Sequence, residues 1–378
     1  MKSTLKKTEK GITLVALVVT IVVLLILAGV SINLVLGNNG IIAKAKDAET
    51  KSAEASQNDL KGMNGLVSEM EGALAGNGST GSGSGNGNTG SGNNFVTKNT
   101  EVTYPGGNVW IPEGFRISKD SAEKVQGGVV IEDKDRNQFV WVPVATLADY
   151  KRTWYTGFDL FSGYSEALPE DEKTSVERYK GFYIGRYEAG DKESTEAKTL
   201  REDGASTSNT ITVKAGQAPY NYVTRTQAKS LAEGFKTQQN YSSSVTTKLV
   251  SSYAWDTAIA FIQKTNSDYG RSSEEGNYKD SPTFNYTGIA DTEKNKQTKA
   301  NGTGKLIPTG QTTAVNNIYD MGGNVWEWTT EPFSNTNYPY TRRGGGCDDG
   351  FAYCPAGYRN GFSDRVFSDN GFRLTLFL

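Results

Sequence analysis

Between Ala75 and Asn94 the chain reads AGNGSTGSGSGNGNTGSGNN, with no apolar side chain beyond Ala75. Such a stretch has nothing to bury, so nothing offsets the entropy of ordering its backbone, and it is expected to be a flexible coil. One continuous core through the 378 residues is therefore excluded, and whatever folds lies before or after this segment. By the scaling for glycine-rich chains its ends lie about 25 Å apart on average, so the flanking parts are expected to act independently. The part from about residue 95 to Leu378 is long enough to bury a sizeable core.

The N-terminal part opens MKSTLKKTEKG and continues with an uncharged apolar run from Ile12 to Leu36. As a helix that run measures roughly 37 Å, enough to cross a hydrocarbon core of about 30 Å with tilt. Lys2, Lys6, Lys7 and Lys10 would stay cytoplasmic. After Gly37-Asn38-Asn39-Gly40 the chain is rich in Ala, Lys and Glu, with Leu60, Met63, Leu66, Val67 and Met70 at helical spacing. Lys10-Gly11 followed by Ile12-Thr13-Leu14-Val15 resembles the prepilin-type N-terminus of type IV pilins and type II secretion pseudopilins. The resemblance implies a leader over 1–11, cut by a prepilin peptidase after Gly11, with Ile12 as the methylated first residue. It also implies a pilin-like helix over 12–74, with its membrane span at 12–36, and other pilin subunits as partners. Ala16 stands where that family usually has glutamate. This fits a minor subunit or a plain anchor better than a major subunit, and an uncleaved signal anchor stays open as the alternative.

The chain has no histidine, which excludes Ser-His-Asp and Cys-His triads, histidine-ligated zinc and the facial iron triad. A formal net charge of -2, with both signs interspersed, gives no reason to expect a nucleic-acid partner. Two cysteines make no disulfide framework.

From about residue 95 aromatic residues and turns alternate. Strands are predicted at VWIP (Val109–Pro112), FVWVPV (Phe139–Val144) and GFYIGRYEA (Gly181–Ala189). A helix is predicted over Thr226–Phe235, with Thr224 and Gln227 as its capping box, and another at AWDTAIAFIQK, with Trp255, Ile259 and Ile262 on one face. The expected class is α+β.

FYIGRYEAG, Ala218-Pro219 with a helix after it, YAWDTAIAFI, IYDMGGNVWEWT, RRGGG and GFR follow one another in this order. Together they resemble the formylglycine-generating enzyme (sulfatase-modifying factor) family, a version of the C-type lectin fold, over roughly Phe139 to Phe377. The resemblance implies a calcium ion held by Asp320, Gly323, Val325 and Glu327, hard oxygen donors of the kind calcium takes. The alternative is that Trp326 and Trp328 are core and Glu327 pairs with an arginine. In that family two cysteines hold copper and oxidise a substrate cysteine. Cys347 and Cys354 lie in the corresponding region but with wider spacing, and no serine follows Gly344-Gly345-Gly346. An extracytoplasmic copper oxidase using this pair is the first alternative function, a disulfide between them is also open, and a structural minor pilin is the second.

From Gly344 to Leu378 there is no Lys, Glu, Gln, Met or Trp, although these types make up about a fifth of the preceding chain and roughly six or seven would be expected. That pattern resembles the variable proteins of diversity-generating retroelements, which randomise adenines at the end of a lectin-fold gene. Asn codons altered at both adenines reach many residue types, but never those five. On this resemblance Gly344-Gly345-Gly346, Pro355-Ala356-Gly357-Tyr358-Arg359 and Asn370-Gly371-Phe372-Arg373 are a fixed frame over Phe372 and Trp326. The variable ligand-binding positions are Cys347, Asp348, Asp349, Phe351, Ala352, Tyr353, Cys354, Gly361, Phe362, Asp364, Arg365, Val366 and Phe367. The expected whole is a membrane- or pilus-anchored recognition protein on a bacterial surface. Its extracellular head would bind a protein or glycan on another cell or a phage.

Overall fold

The computed structural model describes residues 94–155, 163–194, 200–208, 210–281, 285–287, 298–300 and 305–378. All of them belong to the unit Gly87–Leu378. The expected leader 1–11, processing pair Gly11 and Ile12, helix 12–74, membrane span 12–36 and nearly all of the linker 75–94 lie outside the described residues. Among the described residues no helix is long and apolar enough to cross a membrane.

The strands in chain order are β1 (Thr100–Tyr104), β2 (Gly107–Ile111), β3 (Arg116–Ile117), β4 (Val130–Glu132), β5 (Gln138–Pro143), β6 (Gly181–Gly185), β7 (Gly190–Asp191) and β8 (Ile211–Thr212). Then come β9 (Thr246–Leu249), β10 (Asn285–Thr287), β11 (Thr298–Ala300), β12 (Trp326–Pro332), β13 (Tyr340–Arg343), β14 (Arg359–Phe362), β15 (Asn370–Phe372) and β16 (Leu374–Phe377). The helices are α1 (Glu170–Tyr179), α2 (Arg225–Gln239) and α3 (Ser252–Ile262).

The apolar run in β5 has a simple cause. The strand lies inside a six-stranded antiparallel sheet, ordered β3-β4-β5-β6-β16-β9, that is covered on both faces. Successive side chains leave a strand on opposite faces. Phe139 and Trp141 therefore join one apolar cluster, with Ala228, Ala232 and Phe235 of α2. Val140 and Val142 join the other, with Val176 of α1 and Trp255, Ile259 and Ile262 of α3. Two layers of core around one sheet thus account for most of the buried apolar side chains.

The capping box predicted for α2 is present: the Thr224 hydroxyl accepts from the Gln227 amide at 3.2 Å, and the Gln227 side chain accepts from the Thr224 amide at 2.9 Å. α3 spans Ser252–Ile262 and is buried on nearly every side rather than on one face, because loops of the second sheet cover its outer surface. The third predicted strand ends at Gly185, and the Arg186–Glu188 stretch that follows it is turned out of the sheet. α1 was not expected, since Val176 and Tyr179 are the only apolar side chains it buries. Three acidic residues in its first turn suit the helix dipole, and buried Glu172 accepts from the hydroxyls of Tyr150 (2.6 Å) and Ser251 (2.7 Å).

The second sheet, ordered β14-β13-β12-β15, is antiparallel except where β15 runs parallel to β12. The chain passes from β15 directly into β16, an interior strand of the first sheet between β6 and β9. Arg373 is the single residue between them. Its fully buried guanidinium donates to Gly185 O (2.8 Å), Tyr319 O (2.8 Å) and both oxygens of Glu327. The closing Gly-Phe-Arg is therefore the joint between the two sheets.

Candidate functional site

Two loops belong to the second sheet: one over residues 344–358 turns from β13 into β14, and the other, over 363–369, runs from the far end of β14 back to the start of β15. The first loop is clamped at its stem. Arg343 and Arg359 face each other across the β13–β14 pair, and both donate to the two oxygens of Asp256 in α3, Arg343 at 2.7 Å. Arg359 also pairs with Glu331 at 3.0 Å, and Glu331 with Arg152. Arg343, Arg359, Asp256 and Glu331 have no side-chain exposure. Buried charges of this kind are stable only when every partner is in place, so the stem geometry is strongly determined.

The glycines next to the stem are close to other atoms. Gly344 and Gly345 have φ of +91° and +74°, and a Cβ on Gly345 would lie 2.3 Å from Cys354 O. Gly357 would similarly strike Gly270 O at 2.2 Å. These positions admit no side chain.

The loop backbones are held largely by groups outside the loops. The Tyr278 hydroxyl donates to Gly344 O at 2.5 Å, the Cys347 amide to Asn324 O, the Lys279 amide to Asp349 O, and the Trp255 indole to Ala356 O. In the second loop Tyr222 N donates to Phe367 O (3.1 Å), Asn221 Nδ2 to Ser368 O (2.6 Å) and Trp326 N to Asp369 O (2.7 Å). Most of the loop side chains are therefore not needed to hold the path of the chain.

Burial divides the segment nearly as the frame-and-variable pattern does. Gly344–Gly346, Pro355–Gly357, Arg359 and Asn370–Phe377 are buried, with Phe372 and Trp326 beneath. Asp348, Ala352, Tyr353, Asp364, Arg365, Val366 and Phe367 are exposed, Tyr353 by 66 %, Val366 by 48 % and Phe367 by 42 %. Asp349, Phe351 and Phe362 are half-buried. Gly361 is covered: a Cβ there would sit 2.3 Å from the Phe333 ring, which stacks on Tyr164. Asp364 accepts from the amide and hydroxyl of Thr226 in the first turn of α2, which fastens the second loop to that helix end.

Arg342, Ser368 and Asp369 belong to the site although the residue pattern did not single them out. Arg342 lies between the Trp326 ring (4.4 Å) and the Phe362 ring (3.8 Å), donates to Asn360 and Asn370, and stands 3.9 Å from Asp369. Burial lowers its pKa to about 10. It connects the two loops, and the doubled arginine before the glycines was the available signal.

Cys347 and Cys354 are buried and unbridged. Burial, then the neighbouring Asp348 and Asp369, pushes the Cys347 thiol well up, and burial with Asp349 raises Cys354 to about 12. Copper is bound by thiolates. Burial and the carboxylates beside both sulfurs favour the neutral thiols in the absence of a metal. The two cysteines do not face outward as ligand contacts.

At the position assigned to calcium, Asp320 accepts from Gly310 N and the Thr312 hydroxyl, each at 2.6 Å, and Glu327 is held by Arg373. Trp326 and Trp328 are core. Glu188, which was not anticipated, is buried beside them and accepts from Asn324 Nδ2 (2.7 Å) and Val325 N (3.2 Å). Burial raises the Glu188 carboxyl, and Asp320 and Glu327 raise it further. Three buried carboxyl groups thus lie near one guanidinium, that of Arg373. Among the described residues no three Cys, Asp or Glu side chains converge on one point, so an ion would depend on the Gly323 and Val325 carbonyls.

No family model and no curated protein matches this sequence. Among solved structures the chain is similar to CarF, with a TM-score of 0.35 and 15% identity over 53% of this chain and 87% of that one. It is similar to Treponema denticola variable protein 1, with a TM-score of 0.30 and 13% identity over 63% of this chain and 95% of that one. It is similar also to PvdO from Pseudomonas aeruginosa, with a TM-score of 0.35 and 17% identity over 66% of this chain and 98% of that one. Likeness at this level says nothing of what this chain binds.

Proposed function

We propose that this chain is a recognition protein whose C-terminal loops form a diversified ligand-binding surface on a C-type lectin fold of the formylglycine-generating-enzyme type. One observation carries this: the segment that lacks five residue types is also the one in which a buried, clamped frame alternates with exposed side chains, most of which the backbone does not require. A binding surface with a rigid base and tolerant outward contacts needs this arrangement. Anchoring through residues 12–36, in a bacterial membrane or a pilus, would carry the head outside the cell to meet a protein or glycan on another cell or a phage.

Sequencing the gene's 3′ end across many cells of one culture tests diversification directly. Substitutions are expected at the codons for Asp348, Ala352, Tyr353 and Asp364–Phe367, with the frame codons constant and a near-copy beside a reverse transcriptase gene. A uniform end with no near-copy would refute it. Mass spectrometry of the mature protein should find Ile12 as the methylated first residue if the prepilin leader is processed. Calcium at Asp320, Gly323, Val325 and Glu327 would serve structure only, and the melting temperature should then fall when a chelator is added.

A further inference from the structure

Tyr353, Val366 and Phe367 are three of the six large hydrophobic side chains that stand exposed among the described residues, and all three sit on the two loops. Scattered exposed apolar groups are ordinary, but three of them on adjoining loops form a surface that favours being covered. The loops adjoin at Asp369, which Arg342 approaches from below and which feels the charges of Asp348 and Asp349 from the other loop. Burial first, and then repulsion from those two carboxylates, holds the Asp369 carboxyl above its ordinary range.

The charge balance is one-sided. Asp348, Asp349, Asp364 and Asp369 line the two loops, whereas Arg365 is their exposed cation. Arg342 is largely taken up by Asn360, Asn370 and the rings of Trp326 and Phe362. Asp364 is engaged with Thr226, and one Asp349 oxygen accepts from Gly346 N, while Asp348, Asp349 and Asp369 interact with one another as a negative seam where the loops approach.

We infer that the partner is a protein surface that presents lysine or arginine side chains among apolar ones, with the cation over Asp348, Asp349 and Asp369 and the apolar groups against Tyr353, Val366 and Phe367. This rests on the recognition role proposed above. A neutral glycan gains nothing from the seam and an anionic one is repelled by it, whereas a cation relieves the repulsion among the three carboxylates.

The full chain can be offered a phage-displayed library of random dodecapeptides and, in parallel, an array of neutral and anionic glycans. Selected peptides should be rich in Lys or Arg next to aromatic or branched side chains. The triple variant Asp348→Asn, Asp349→Asn, Asp369→Asn should bind a selected peptide about tenfold more weakly and with a flatter salt dependence. Tyr353→Ser with Phe367→Ser should weaken the same peptide with its salt dependence unchanged. An unchanged melting temperature shows that each variant is folded. Peptides without basic enrichment, binding to glycans alone, or a triple variant within about twofold of the parent would overturn the inference and leave the recognition role standing. Failure of both probes to find any ligand sensitive to loop substitutions would overturn both.

Discussion

At the scale of single residues, neighbours decide more than residue type. Two cysteines suggest redox chemistry, but a thiol acts through its thiolate, and here burial and adjacent aspartates keep the proton on sulfur. Iodoacetamide at pH 8 should therefore label neither Cys347 nor Cys354 in the folded chain and both in urea, as mass spectrometry would show. Fast labelling of the native protein would contradict the burial. Arginine is the contrasting case. Arg359 and Arg373 were readable in the sequence as parts of fixed segments and Arg343 as part of the RRGGG motif, but their partners Asp256, Glu331 and Glu327 lie 28 to 103 residues away in the chain. No local pattern announces a bond of that separation.

At the scale of elements, signals confined to a few neighbouring residues were the reliable ones. The Thr224–Gln227 box places the start of α2, because a cap is satisfied within one turn. Replacing Thr224 by alanine should cost about 1 kcal/mol in urea unfolding, the usual value of an N-cap. A loss well under half of that would mean that the packing of Ala228, Ala232 and Phe235 alone sets the helix boundary. α1 escaped notice because tertiary contacts of Glu172, rather than an apolar stripe, hold it in place. α3 showed its apolar positions plainly but not how many sides were covered, since the covering loops come from the other sheet.

At the scale of the molecule, buried carboxylates tie folding to pH. Burial raises the Glu166 carboxyl to about 7, Glu331 and Glu172 reinforce it, and the bonds from Thr330 and Ser252 partly oppose it. Its pKa is thus higher folded than unfolded, so between about 4.5 and 7 the native state holds a proton that the unfolded state has released. Stability from this group is full below that window and falls as pH rises through it, by about 3 kcal/mol at most. Urea unfolding at pH 5 and pH 7.5 should show the decline, and Glu166→Gln should remove its share. A stability that rises over this interval with no change in Glu166→Gln would contradict the assignment. Glu188 and Asp320, also raised by burial, add to the trend in the same direction.

What the sequence determined by itself was whatever depends on neighbours along the chain: the apolar runs, the α2 cap, the order of motifs, and the missing residue types after Gly344. The tertiary structure alone decided which faces were covered, which charges met, and which loop residues reach solvent. Exposure depends on atoms brought together from distant parts of the chain. That is why the two cysteines, counted with the variable positions by residue type, lie beneath the surface and Gly361 is packed under Phe333, whereas Arg342 and Asp369, inconspicuous in the chain, join the two loops.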